Sequence, residues 1–147
     1  MEKIKNIDFS CVKFLGGFWK YRYNLNKSVS LRCVYEQFER TGRFDTLRFL
    51  CKEKNCTPHC FYDSDIAKWI EAVGYLIISE GGGYQEEQAI IDQLAVCFEK
   101  NQLSDGYINS YYIQTEPQKR FTDRSMHELY CAGHFIEASI SDRKSVV

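Results

Sequence analysis

Several features that would fix a function quickly are missing from this sequence. Lysine and arginine number 19 against 20 aspartates and glutamates, a net charge of -1, and the pI is near 6.3. With no basic stripe to neutralise phosphates, nucleic acid is not expected as a partner. No apolar run approaches the roughly 18 residues of a membrane span, so no membrane partner is expected either. The opening MEKIKNIDFS carries charges but neither an apolar stretch nor a small-residue cleavage site. It therefore reads as no secretory signal, and a cytoplasmic location is the expectation. Sustained strand alternation closed by hairpin turns is absent as well.

What is there is helical period. The chain has 147 residues and is 44% hydrophobic, enough by size for one domain with a real core. Ile66, Trp69, Ile70, Val73 and Ile77 recur at the spacing of one helix face, with Asp63 or Ser64 able to cap the start and Asp65 favouring the positive end of the dipole. Ile90, Ile91, Leu94, Ala95 and Phe98 repeat the pattern. A third segment, starting near Asp123 or Ser125, places Leu129, Ala132, Ile136 and Ile140 on one side. An earlier helix is predicted from about Asn24 to Thr41, stopped by Gly42. Gly81, Gly82 and Gly83 end the second helix, and Ser104, Asp105 and Gly106 form a tight turn before the aromatic segment Tyr107 to Tyr112. The class that follows is all-α: antiparallel helix pairs, with short loops on one side and long ones on the other.

The seven cysteines, at 11, 33, 51, 56, 60, 97 and 131, are an odd number in a chain without a visible signal and read as free thiols. Cys51, Cys56, His59 and Cys60 cluster in CKEKNCTPHC, but no CxxC spacing is present. The cluster reads as a mobile polar loop rather than a zinc site.

Candidate chemistry sits at the helix starts. His127, Tyr130, Cys131 and His134 fall at offsets of zero, three, four and seven, one face of a helix. Separated by about 10 Å along the axis, His127 and His134 cannot easily share an ion, so no metal is expected there. His134 reads as a core histidine, with Gly133 beside it suggesting close approach of another helix. His127, in the first turn, is placed to hydrogen-bond a hydroxyl. Asp63 and Asp65, with Tyr62 and Trp69 nearby, fit a sugar-binding pairing of acceptors and aromatics, yet capping explains both aspartates and core packing explains the tryptophan. As acid and base of a glycosidase they would diverge in direction, since such carboxylates flank the scissile bond and come from different elements.

Five blocks in order, GGFWKYRYNLN, ERTGRFDTLRF, FYDSDIAKWIEA, QLSDGYINSYY and EPQKRFTDRSMHELYCAGHFIEA, resemble the start of the catalytic domain of glycoside hydrolase family 127, the β-L-arabinofuranosidases. The resemblance implies the first part of an (α/α)6 toroid, a carbohydrate substrate, and a role for His127, which matches the histidine of the family's HExY motif, in contacting the sugar. It also implies a retaining mechanism with a zinc-bound cysteine thiolate as nucleophile and a glutamate as acid/base. All of those groups lie beyond the matched region, and the cysteines present here do not match them. After HFIEASIS the family's pattern would continue, whereas DRKSVV closes this sequence. The expectation is therefore that residues 1–147 are an N-terminal fragment of one catalytic domain, lacking its C-terminal remainder, inactive alone and binding no zinc itself. An epimerase-like sugar enzyme and a small helical sugar-binding or interaction protein remain as alternatives.

Overall fold

The computed structural model describes residues 5–145, so MEKI and the final Val146 and Val147 lie outside it. Among the described residues there is no strand, and the chain is all-α as its periodicity predicts. The helices are α1 (Gly17–Leu25), α2 (Leu31–Arg40), α3 (Arg43–Leu47), α4 (Cys51–Lys54), α5 (Tyr62–Glu80), α6 (Gln85–Asn101), α7 (Ser110–Thr115) and α8 (Glu128–Ser145). A π-helical turn, Asn26–Ser30, joins α1 to α2 without a break in the right-handed backbone. The first helix therefore begins earlier than the predicted Asn24. Its aromatic residues Phe18, Trp19 and Tyr21 are exposed, which blurs the periodic signal there.

α5 is the axis of the core. Ile66, Trp69, Ile70, Val73 and Ile77 are all buried, as their spacing requires. Phe44 and Leu47 of α3 pack beneath them, and the Trp69 indole N–H donates to the Leu31 carbonyl at 3.2 Å, which satisfies its one polar atom. α1 and α2 run antiparallel to α5: Tyr23 and Lys27 bind Glu80 at the far end of α5, each at 2.6 Å, while Arg43 reaches Asp65 near its start. Left-handed Gly81, at φ 74°, closes α5, and α6 returns antiparallel through Ile91, Leu94 and Phe98.

α8 then lies parallel to α5, so the starts of these two helices share one end of the molecule. Their crossing is close at Gly74, where a Cβ would stand 2.9 Å from the Ser141 carbonyl carbon and hydroxyl oxygen. Gly74, rather than Gly133, is the close-approach glycine; Gly133 is exposed with nothing near its Cβ position. Antiparallel pairs whose second members run parallel are the arrangement of successive units in an (α/α) toroid.

Other expectations are corrected. α8 buries Cys131, Phe135, Ala138 and Ser141, while the stripe of Leu129, Ile136 and Ile140 faces outward, 74%, 63% and 50% exposed. Helical period identifies an apolar stripe but not its partner, and this helix has two. Asp123 caps a 3₁₀ turn, Arg124–Met126, instead of α8. Cys51 and Cys56 form a disulfide across α4, so these two are not free thiols, and the segment between them is polar and exposed as expected but cross-linked. Cys11, Cys33, Cys60, Cys97 and Cys131 are free.

Candidate functional site

At the shared end of α5 and α8, side chains from both helix starts and the loops before them form one surface. His59 precedes α5 by a turn, and its Nδ1 accepts the Phe61 N–H at 3.3 Å. From there a row of rings runs across the helix starts. Centroids lie 5.2 Å apart for His59 and Phe61, 4.9 Å for Phe61 and His127, 5.7 Å for His127 and Tyr130, and 4.5 Å for Tyr130 and His134. All three histidines of the chain belong to this row. Lys68 of α5 donates to the Tyr130 hydroxyl at 2.7 Å and so ties the row to the neighbouring helix.

His127 is its centre and the most constrained residue in it. Its backbone is left-handed, φ 58° and ψ 27°, a conformation that costs a residue with a Cβ about 1–2 kcal/mol and is tolerated best by Asn, Asp and His. The carbonyl accepts the Cys131 N–H at 2.9 Å and opens α8, so His127 is the helix's flanking residue, one position before the first turn expected of it. The ring is exposed, and neither of its nitrogens has a hydrogen-bond partner among the described residues. It opens into a concavity of about 600 Å³ shared with Phe121, Asp123, Arg124, Glu128 and Tyr130. A pocket of that size, aromatic on its sides with a few polar groups converging, suits a small polar ligand.

The strain at His127 is held from beneath. Glu128 is only 7% exposed. One carboxylate oxygen accepts the Phe121 N–H at 2.7 Å, and the other accepts the Tyr107 hydroxyl in a short bond. Phe121 is itself left-handed, at φ 56°, so Glu128 pins one of the loop's two left-handed residues and directly follows the other. Burial, and then the Glu128 carboxylate, push the Tyr107 phenol far above its ordinary range, so it remains a neutral donor. The Arg120 guanidinium lies 3.6 Å over the Tyr107 ring and bonds Asp105 at 2.9 Å.

Asp63 is neither a cap nor a pocket residue. The residue flanking α5 is Phe61, and no side chain caps that helix. Asp63 is 2% exposed and accepts both the Ser110 N–H, at 2.7 Å, and the Ser110 hydroxyl, tying the start of α7 to the start of α5. Burial raises its carboxyl to about 6, against the Ser110 hydrogen bonds that lower it. Asp65 is paired with Arg43 at 2.9 Å, and that guanidinium lies 4.5 Å over Tyr62. Trp69 is core. A groove between α2 and α5 is walled by Leu31, Val34, Phe38, Trp69, Ala72 and Leu76, and of its polar lining Tyr23, Asp65 and Lys68 are already bonded to Glu80, Arg43 and Tyr130.

Of the four residues read onto one face, His127, Tyr130 and His134 stay together, while Cys131 turns inward and its thiol donates to the Cys60 carbonyl at 3.3 Å. Burial, reinforced by the Asp63 charge, raises that thiol to about 11, so it is not a thiolate near neutrality. His134 is half-buried on the seam between α5 and α8, facing carboxylates, and not in the apolar core. A zinc–thiolate centre does not fit these residues: Cys51 and Cys56 are bonded to each other, and among the described residues no ligand cluster includes a cysteine. Sequence reasoning missed Glu128, Tyr107 and Ser110. An acid after a helix-flanking residue reads as a dipole partner, and bonds spanning 21 and 47 residues leave no local trace.

No curated protein and no solved structure matches the chain. A family model described as β-L-arabinofuranosidase, GH127 catalytic domain, matches residues 11–146, nearly the whole sequence.

Proposed function

The chain belongs to the family of β-L-arabinofuranosidase GH127 catalytic domains, and from that premise we propose that its α5–α8 end is one wall of a sugar pocket, with His127 as the residue that hydrogen-bonds the substrate. Membership makes the enzyme class glycoside hydrolase, and the substrate proposed is a β-L-arabinofuranoside or a related furanoside. The observation that carries the reading is the His127 ring itself. It lines the concavity from a strained backbone, flanked by Phe61 and Tyr130, and neither of its nitrogens is engaged among the described residues, so both can meet a hydroxyl. Aromatic faces take the apolar side of a sugar while ring nitrogens and carboxylates meet its hydroxyls.

This wall binds but does not cleave. Of the two carboxylates that line the concavity, Glu128 is buried and engaged by Tyr107 and Phe121, and among the described residues no ligand cluster includes a thiol. We therefore propose that these residues are the N-terminal part of one catalytic domain, completed by further helices that bring the nucleophile and the acid/base. The outward stripe of Leu129, Ile136 and Ile140 supports this reading. Its Ile136 and Ile140, with Ala95, Phe98 and Ile108, line a mostly apolar concavity of about 640 Å³. The test is hydrolysis of an aryl β-L-arabinofuranoside by the purified chain. No turnover above buffer is expected, and turnover abolished by His127→Ala would overturn the assignment of chemistry to other residues.

A further inference from the structure

We propose that Glu71, His134 and Glu137 form a site for a divalent transition-metal ion of the zinc class, which staples α5 to α8. It is independent of the sugar-site reading and departs from the expectation that no metal binds here. His134 and Glu137 stand one turn apart on α8, and Glu71 faces them from α5; one ligand atom from each lies within 4.8 Å of the other two. The His134 Nδ1 is 3.3 Å from a Glu137 carboxylate oxygen, close to the roughly 3.3 Å that separates two ligands each about 2.0–2.1 Å from a tetrahedral ion.

A bland alternative is a surface ion pair between His134 and Glu137. Against it, Nδ1 is shielded from solvent and makes no hydrogen bond despite that short distance, so the oxygen stands off the line along which the ring nitrogen could donate. An ion bound in the plane of the ring leaves its second ligand off that line in just this way. The ring is also held in place, edge-on to Tyr130. Two carboxylates from different helices converge on it, Glu71 also accepting the Tyr75 hydroxyl, and the Lys68 ammonium is engaged with Tyr130. One imidazole and two carboxylates suit zinc, cobalt or manganese, with water completing the shell.

The experiment is titration of the chelator-treated chain with Co²⁺ and then Zn²⁺, followed by visible spectroscopy and calorimetry. Expected is a single ion per chain, with d–d bands, no sulfur-to-cobalt charge transfer, and an affinity weakened about ten-fold or more in Glu137→Gln and in His134→Ala. Glu137 is the safer variant for folding, because its side chain is mostly exposed, and unchanged helical circular dichroism verifies it. His127→Ala should bind as the unaltered chain does. No bound ion, a sulfur charge-transfer band, or an affinity indifferent to Glu137→Gln would each overturn the proposal.

Discussion

Asp63 offers a test of the α5–α7 attachment that can be worked in numbers. Its carboxyl is raised by burial from an ordinary 3.8 to about 6. Between those values the folded chain holds a proton that the unfolded chain releases, so stability falls as pH rises through the window. Above about 6 the penalty is fully present. Two pKa units correspond to about 3 kcal/mol, an upper figure that relaxation of the site reduces. Asp63→Asn removes the ionisation while keeping an oxygen for the Ser110 N–H; the Ser110 hydroxyl must then turn and accept from the new amide. Exchanging bonds to a charge for neutral ones costs about 1 kcal/mol, leaving the variant at pH 7 between equally stable and about 2 kcal/mol more stable. Urea unfolding, followed by circular dichroism from about pH 4 to about pH 7.5, gives the slope. The difference between the parent and Asp63→Asn isolates this residue from the other carboxylates. If that difference is flat, folding leaves the carboxyl unshifted, and if the parent gains relative stability as pH rises, the carboxylate is stabilised when charged; either result makes the account of α7's attachment wrong.

Other consequences are as direct. Gly74→Ala places a methyl against the Ser141 backbone, which cannot swing aside; despite alanine's better helix propensity, a net loss of about 1–2 kcal/mol is expected in thermal or urea unfolding. Gly133→Ala, with open space around it, should be neutral or slightly stabilising by the same measurement. Reduction of Cys51–Cys56, or Cys51→Ser, should lower stability by about 2 kcal/mol, the loop-closure value for so short a ring, and is read as a drop in Tm with reductant. Glu128→Gln weakens the bonds that hold Tyr107 and Phe121, for about 1–2 kcal/mol and faster amide exchange at Phe121.

Much of the fold is legible wherever one helix has one buried face. The positions from Ile66 to Ile77 show this, and so does the stop at Gly81, where the left-handed turn needs no Cβ. Legibility fails where a helix has two apolar faces: on α8, Cys131, Phe135 and Ala138 are buried while the cleaner stripe through Leu129, Ile136 and Ile140 is left outward. His127 stands out in the sequence because its motif is local. Its supports were not, since Glu128, Tyr107 and Ser110 act through bonds whose partners meet only after folding. Asp63 shows the opposite error, a residue whose place at a helix start invites a capping role that burial replaces. Spacing alone likewise could not pair Cys51 with Cys56, because the short turn between them reads as a polar loop until α4 brings them together.

The central claim is that His127 is the sugar-contacting residue of this surface. The chain's three histidines give three separable imidazole signals in NMR, so each can be followed while a methyl β-L-arabinofuranoside is added. The account predicts a saturable shift at His127, a smaller one at His59 through Phe61, and little at His134, with an acyclic polyol producing none. An unmoved His127 signal, or equal shifts at all three with sugar and polyol alike, would contradict it.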